Sequence, residues 1–142
     1  MESRNPDYEQ YTREKIGLNK FMKWLGYEIT TIRPGITEGE LVFKEIHEQQ
    51  DGWLHGGVTA TLLDMAAGFA AYSLMEKGHR VVTVEAKVSY YNPGNADKFY
   101  IKGWVTKPGK RFHFCEAEVY YLKEGKPVIV AKGSSTMGVI AP

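Results

Sequence analysis

The sequence predicts an α+β fold, a mostly antiparallel sheet wrapped around one central helix. Three observations predict it. Residues 55–75 form a run rich in Ala, Leu and Met whose only formal charge is Asp64. Apolar residues fall all round this helix, so it needs cover on every side. The second half of the chain reads as strand after strand, punctuated by Asn92-Pro93-Gly94, Lys107-Pro108-Gly109 and Glu124-Gly125. Two more strand patterns precede the helix. An apolar sheet face and an apolar helix cover each other, which makes this the economical packing.

The elements follow in order. Residues 8–25 read as one amphipathic helix, with Tyr11, Ile16 or Leu18, Phe21 or Met22, and Leu25 at roughly helical spacing and Gly26 as the stop. Strands are predicted at 27–33 and 40–43, with Pro34-Gly35 as the turn between them. The central helix is expected over about 55–76, ended by Lys77 and Gly78. A membrane span is the rival reading of such a run. Asp64, the hydroxyls of Thr59, Thr61 and Ser73, and three glycines oppose it. A carboxylate at mid-bilayer costs several kcal/mol. Residues 81–91 alternate, placing Val82, Val84, Ala86 and Val88 on one face. Strands at 99–106, 111–122 and 128–137 complete the set.

The chain has 142 residues, the size of one domain, with 1–25 as a helical extension and 26–142 as the core. Apolar residues make up 43% and charged residues 25%, which excludes a disordered chain. The net charge of +1 gives no general drive toward nucleic acid. One cysteine and no CxxC exclude an internal disulfide and a cysteine-based zinc site. The first seven residues hold no apolar signal core, so a cytoplasmic protein without membrane insertion is expected.

Asp64 is the residue to explain. A lone carboxylate on a buried helix is paired, protonated or working. Its helical neighbours Gly57, Ala60, Thr61, Ala67, Gly68 and Ala71 are all small. That stripe leaves room for a ligand or a second helix. The plain alternative is a hydrogen-bonded or lysine-paired Asp. His55-Gly56-Gly57 falls where the helix begins. Free N–H groups there make a partial positive site, and glycine admits a substrate carbonyl close to the backbone. The site suits a developing oxyanion, and the plain alternative is a glycine turn into a helix. Gly56 and Asp64 are eight residues apart, or about 12 Å along a helix. One carbonyl carbon cannot approach both in one chain. If both act on one substrate, two antiparallel copies must share each site, which predicts a two-fold dimer.

The segment Leu54-His55-Gly56-Gly57-Val58-Thr59-Ala60-Thr61-Leu62-Leu63-Asp64 resembles the LHGG-x6-D signature of the hotdog-fold thioesterases, specifically the PaaI-like acyl-CoA thioesterases. The resemblance continues through 83–93 and 107–118 and covers roughly residues 25–138. It implies a hotdog fold and hydrolysis of an acyl-CoA thioester. It implies a dimer or a dimer of dimers, and no cofactor, since coenzyme A is part of the substrate. Asp64 then matches the nucleophile or general base. Gly56 matches the glycine whose N–H polarises the carbonyl, with Gly57 beside it, and His55 matches the supporting histidine. Gln49 stands where many members have Asn. Thr83 stands where a Ser or Thr helps to hold the attacking water, although strand parity places it opposite Val82 and Val84, away from its own helix. The chemistry is self-consistent, because a thioester carbonyl is electrophilic and thiolate leaves well.

Lys107, Lys110 and Arg111 form a basic turn of the kind that lies near coenzyme A phosphates in this family, or else a solvated turn. Asn92 borders the pantetheine path or simply turns the chain. Trp53 is a core residue or part of an acyl pocket. His47, His79 and His113 show no ligand spacing, so no metal is expected. Cys115 lies in a strand pattern without an activating base and reads as inert. Two other functions remain in view: a hotdog enoyl-CoA hydratase or dehydratase using His55 and Asp64, and a non-catalytic acyl-CoA-binding domain.

Overall fold

The computed structural model describes residues 1–142. Two short helices come first, α1 (Tyr8–Gly17) and α2 (Lys20–Leu25). Strands β1 (Tyr27–Arg33) and β2 (Ile36–Val42) lead through a 3-10 turn at Glu45–His47 to the central helix α3 (Gly56–Tyr72). Then come β3 (Arg80–Tyr90), β4 (Lys98–Lys107), β5 (Phe112–Lys123) and β6 (Lys126–Ile140). The six strands form one sheet in the order β1-β2-β4-β5-β6-β3. Every pairing is antiparallel. The sheet curls around α3, which is the hotdog fold.

Alternation builds the contact between sheet and helix. Phe99, Ile101 and Val105 on β4, and Cys115, Ala117 and Val119 on β5, are all buried. At the centre of β4 the sequence has Gly103. A Cβ there would run into the backbone of Ala66 and Ala67. The missing side chain and the two alanines let helix and strand meet backbone to backbone. Thr37 on β2 then reaches α3 and donates from Oγ1 to the Ala66 carbonyl at 2.8 Å.

Several expectations need correction. The helix predicted over 8–25 is two helices. Leu18 closes α1, and Asn19 leaves helical geometry at ψ 96° to cap α2, its Oδ1 accepting the Met22 N–H at 2.9 Å. The central helix stops at Tyr72 rather than near 76. Ser73 ends it by donating from Oγ to the Ala70 carbonyl at 2.7 Å and accepting the Gly35 N–H at 2.8 Å. The second strand begins at Ile36, directly after the Pro34-Gly35 turn. That turn needs glycine, since Gly35 has φ 75°.

The face assigned to 81–91 is split in two. A register shift between Thr83 and Glu85 interrupts the pairing of β3 with β6. Val82 and Val84 are 47% and 57% exposed. Val81 and Val88, of opposite parity, both pack on the core. Only an extra residue in the strand can turn both inward.

Burial of α3 is also incomplete. Gly57, Ala60, Thr61, Asp64 and Gly68 are not buried. The sheet covers the large residues and, of the small-residue stripe, Ala67 and Ala71, and leaves the rest of the stripe open.

His113 on β5 is 2% exposed, and neither ring nitrogen has a hydrogen-bond partner. Burial, with the positive charge of Arg4 adding to it, holds its pKa below the usual 6.5. The folded state therefore resists a proton that the unfolded chain accepts. This contribution to stability is complete above about pH 6.5 and is lost as the pH falls through that value toward the lower folded pKa. Urea unfolding midpoints should accordingly fall between about pH 6.5 and pH 5. His113→Leu should remove that part of the drop. A midpoint with equal pH dependence in both proteins would contradict the assignment. Cys115, also buried, has its thiol pushed up to about 12 by desolvation, as an inert cysteine should.

Candidate active site

The start of α3 is held from three directions. Buried His47 donates from Nε2 to the Leu25 carbonyl at 2.7 Å, while its Nδ1 accepts the Lys44 N–H at 3.0 Å. These partners assign its tautomer. The His47 carbonyl accepts the His55 N–H at 2.8 Å, and the Gly94 carbonyl accepts the Leu54 N–H at 2.9 Å. His55 then caps the helix, its Nδ1 accepting the Gly57 N–H at 2.8 Å. The Gly57 N–H is thereby occupied. The Gly56 N–H has no acceptor within the chain and lies at the positive end of the helix. Tyr90 packs beside it and donates from its hydroxyl to the Gly56 carbonyl at 2.7 Å.

Two helical turns further on, Asp64 is half-buried. The Thr83 hydroxyl donates to its Oδ1 at 2.6 Å. Thr83 thus faces its own helix, against the parity expectation, because the shift between Thr83 and Glu85 reverses the alternation of β3 at this point. Oδ2 has no partner within the chain, and no basic side chain pairs with the carboxylate. Its neighbour is a cavity of about 510 Å³, walled by Met65 and Phe69 of α3, Val81 of β3 and Met137 of β6, and reached by Leu18 at the α1–α2 break.

The remaining predicted residues lie elsewhere. Gln49 braces the loop before α3, its Oε1 accepting the N–H groups of Asp51 and Trp53. Asn92 donates from Nδ2 to the Ile129 carbonyl at 2.8 Å, fixing the turn that packs on Leu54. Lys107, Lys110 and Arg111 are exposed at the opposite end of the sheet, where the Arg111 carbonyl accepts the Val139 N–H at 2.8 Å. None of these residues lines the cavity beside Asp64, and neither does Trp53. No cluster of three or more His, Cys, Asp or Glu side chains is arranged to hold a metal ion. No helix is long and apolar enough to cross a membrane.

Sequence reasoning missed Tyr90, and it missed Lys15, Phe69 and Arg80 on the cavity wall. Only tertiary packing brings these residues to Gly56 and Asp64, so no local pattern marks them.

One chain therefore presents a free N–H at a helix start and an oriented carboxylate about 12 Å along the same helix. Residues 51–128 match the family model described as the thioesterase superfamily. The human protein named acyl-coenzyme A thioesterase 13 is 30% identical over 109 residues, covering 76% of each chain. The proofreading thioesterase EntH of Klebsiella pneumoniae is 25% identical over 120 residues, covering 84% of this chain and 88% of that protein. Among solved structures, a thioesterase family protein from Silicibacter pomeroyi superposes with a TM-score of 0.92 at 34% identity, covering 95% of this chain and 99% of that one.

Proposed function

The chain belongs to the thioesterase superfamily, and from that premise we propose that it hydrolyses acyl-CoA thioesters in a site shared by two antiparallel copies. The observation that carries the reading is the Thr83–Asp64 hydrogen bond beside the apolar cavity. It fixes one carboxylate oxygen and leaves the other free to react. The part of the small-residue stripe left open on α3, Gly57, Ala60, Thr61 and Gly68, supports the approach of a second copy.

In this scheme the free Gly56 N–H of one copy donates a hydrogen bond to the thioester carbonyl oxygen and stabilises the charge that develops there. The His55 cap and the Tyr90 hydroxyl keep that helix start rigid. Asp64 of the other copy acts as general base or as nucleophile. As base it takes a proton from water while the water oxygen bonds to the carbonyl carbon. The tetrahedral adduct then collapses, the C–S bond breaks with its electron pair on sulfur, and the proton passes to the thiolate. As nucleophile, Asp64 Oδ2 bonds to the carbonyl carbon and the C–S bond breaks with its electron pair on sulfur; water then cleaves the resulting anhydride, restoring the Asp64 carboxylate and passing one proton to the thiolate. Both routes yield a carboxylic acid and free coenzyme A, and neither needs a cofactor. Lys107, Lys110 and Arg111 offer the charge to meet the coenzyme A phosphates.

The test is release of free thiol from a panel of short, medium, long and aromatic acyl-CoAs. Release from at least one class is expected. Tight binding across the panel without turnover would replace hydrolysis with the acyl-CoA-binding reading. Hydration of enoyl-CoAs without thiol release would favour a hydratase.

A further inference from the structure

The cavity beside Asp64 bears on the acyl group itself. Asp64, Gly68 and Tyr72 lie along one face of α3, so the cavity runs about two helical turns, or roughly 12 Å, from the carboxylate. Its walls are apolar in between. At the far end stand two cations, Lys15 from α1 and Arg80 from the first position of β3. Neither takes part in an ion pair. Both are exposed at the mouth of the cavity, and the Nζ of Lys15 lies 5.9 Å from the centre of the Tyr72 ring. Glu14, the adjacent carboxylate on α1, accepts a hydrogen bond from Gln10 at 3.0 Å. Asn19, the amide on the wall, uses its Oδ1 to cap α2.

From this arrangement we infer that the enzyme selects acyl groups that carry a carboxylate at the end remote from the thioester. An extended apolar chain fits between Phe69 and Met137, and its terminal carboxylate meets the fork of Arg80 and the ammonium of Lys15. The pantetheine arm suits the same walls poorly, because its amides would lose water without gaining partners. The inference rests on the hydrolytic reading and adds the substrate class to it.

Two pairs of substrates test it: a carboxyl-ended and a methyl-ended acyl-CoA of equal length, and the same two acyl groups on N-acetylcysteamine, which lacks the phosphates. The wild-type ratio of kcat/KM, carboxyl-ended over methyl-ended, is expected above one in both pairs. The double variant Lys15→Met, Arg80→Met should lower that ratio by roughly tenfold in both pairs, the size of one charge-assisted contact, mainly through KM. Two results would overturn the inference. One is a wild-type ratio below one. The other is a variant that raises KM for both acyl-CoAs alike and leaves the N-acetylcysteamine pair untouched, which would assign the cations to phosphate. If the wild-type protein releases thiol from no thioester at all, the hydrolytic reading fails first and this inference falls with it.

Discussion

Asp64→Asn is expected to lower kcat for thioester hydrolysis by about a hundred- to ten-thousand-fold with the fold retained, the range that a positioned acid–base group contributes. The substitution is close to isosteric. The amide oxygen still accepts the Thr83 hydroxyl, so the one hydrogen bond at this carboxylate survives. The position is half-buried without an ion pair, so no buried partner charge is stranded. The loss is chemical: an amide neither takes a proton from water nor attacks a carbonyl. Thiol release under saturating substrate, with the urea midpoint as the fold control, measures it. Full activity in the variant would remove Asp64 from the reaction.

Gly56→Pro is expected to cost about a hundred- to a thousand-fold in kcat, the effect of deleting one oxyanion donor. Proline removes the backbone N–H and, at the first position of a helix, is well tolerated. His55 before it already has φ −63° and ψ 135°, the conformation a residue preceding proline adopts. Gly56→Ala is the control. It keeps the N–H, and its Cβ would meet the Tyr90 ring at an ordinary 3.5 Å. The alanine variant should therefore stay near wild-type while the proline variant loses rate. Equal activity in both would show that the Gly56 N–H carries nothing.

The fold was legible because its signals are local. The Pro34-Gly35, Asn92-Pro93-Gly94 and Glu124-Gly125 turns mark strand ends by backbone chemistry alone. The Ala-rich run announces a helix that something must cover. The candidate site was legible in part, since His55, Gly56 and Asp64 share one helix and their spacing is fixed by its geometry. What escaped depends on contacts between distant segments. Thr83 was turned the wrong way because its orientation comes from an irregularity in pairing with β6, which no alternation pattern in β3 reveals. The end of α3 at Tyr72 depends on Ser73 meeting the Gly35 turn, 38 residues away. Lys15 and Arg80 line one cavity although they stand on different elements, α1 and β3, a meeting that only tertiary packing brings about.

The central claim is that each site takes its N–H from one copy and its carboxylate from another. It is tested by co-expressing an Asp64→Asn chain and a Gly56→Pro chain with different affinity tags and isolating the mixed dimer. One of its two sites then carries both substitutions and the other carries neither. The mixed dimer should recover about half the wild-type rate per dimer, far above either parent. A mixed dimer no faster than the sum of its crippled parents would place both groups in one chain and contradict the shared site.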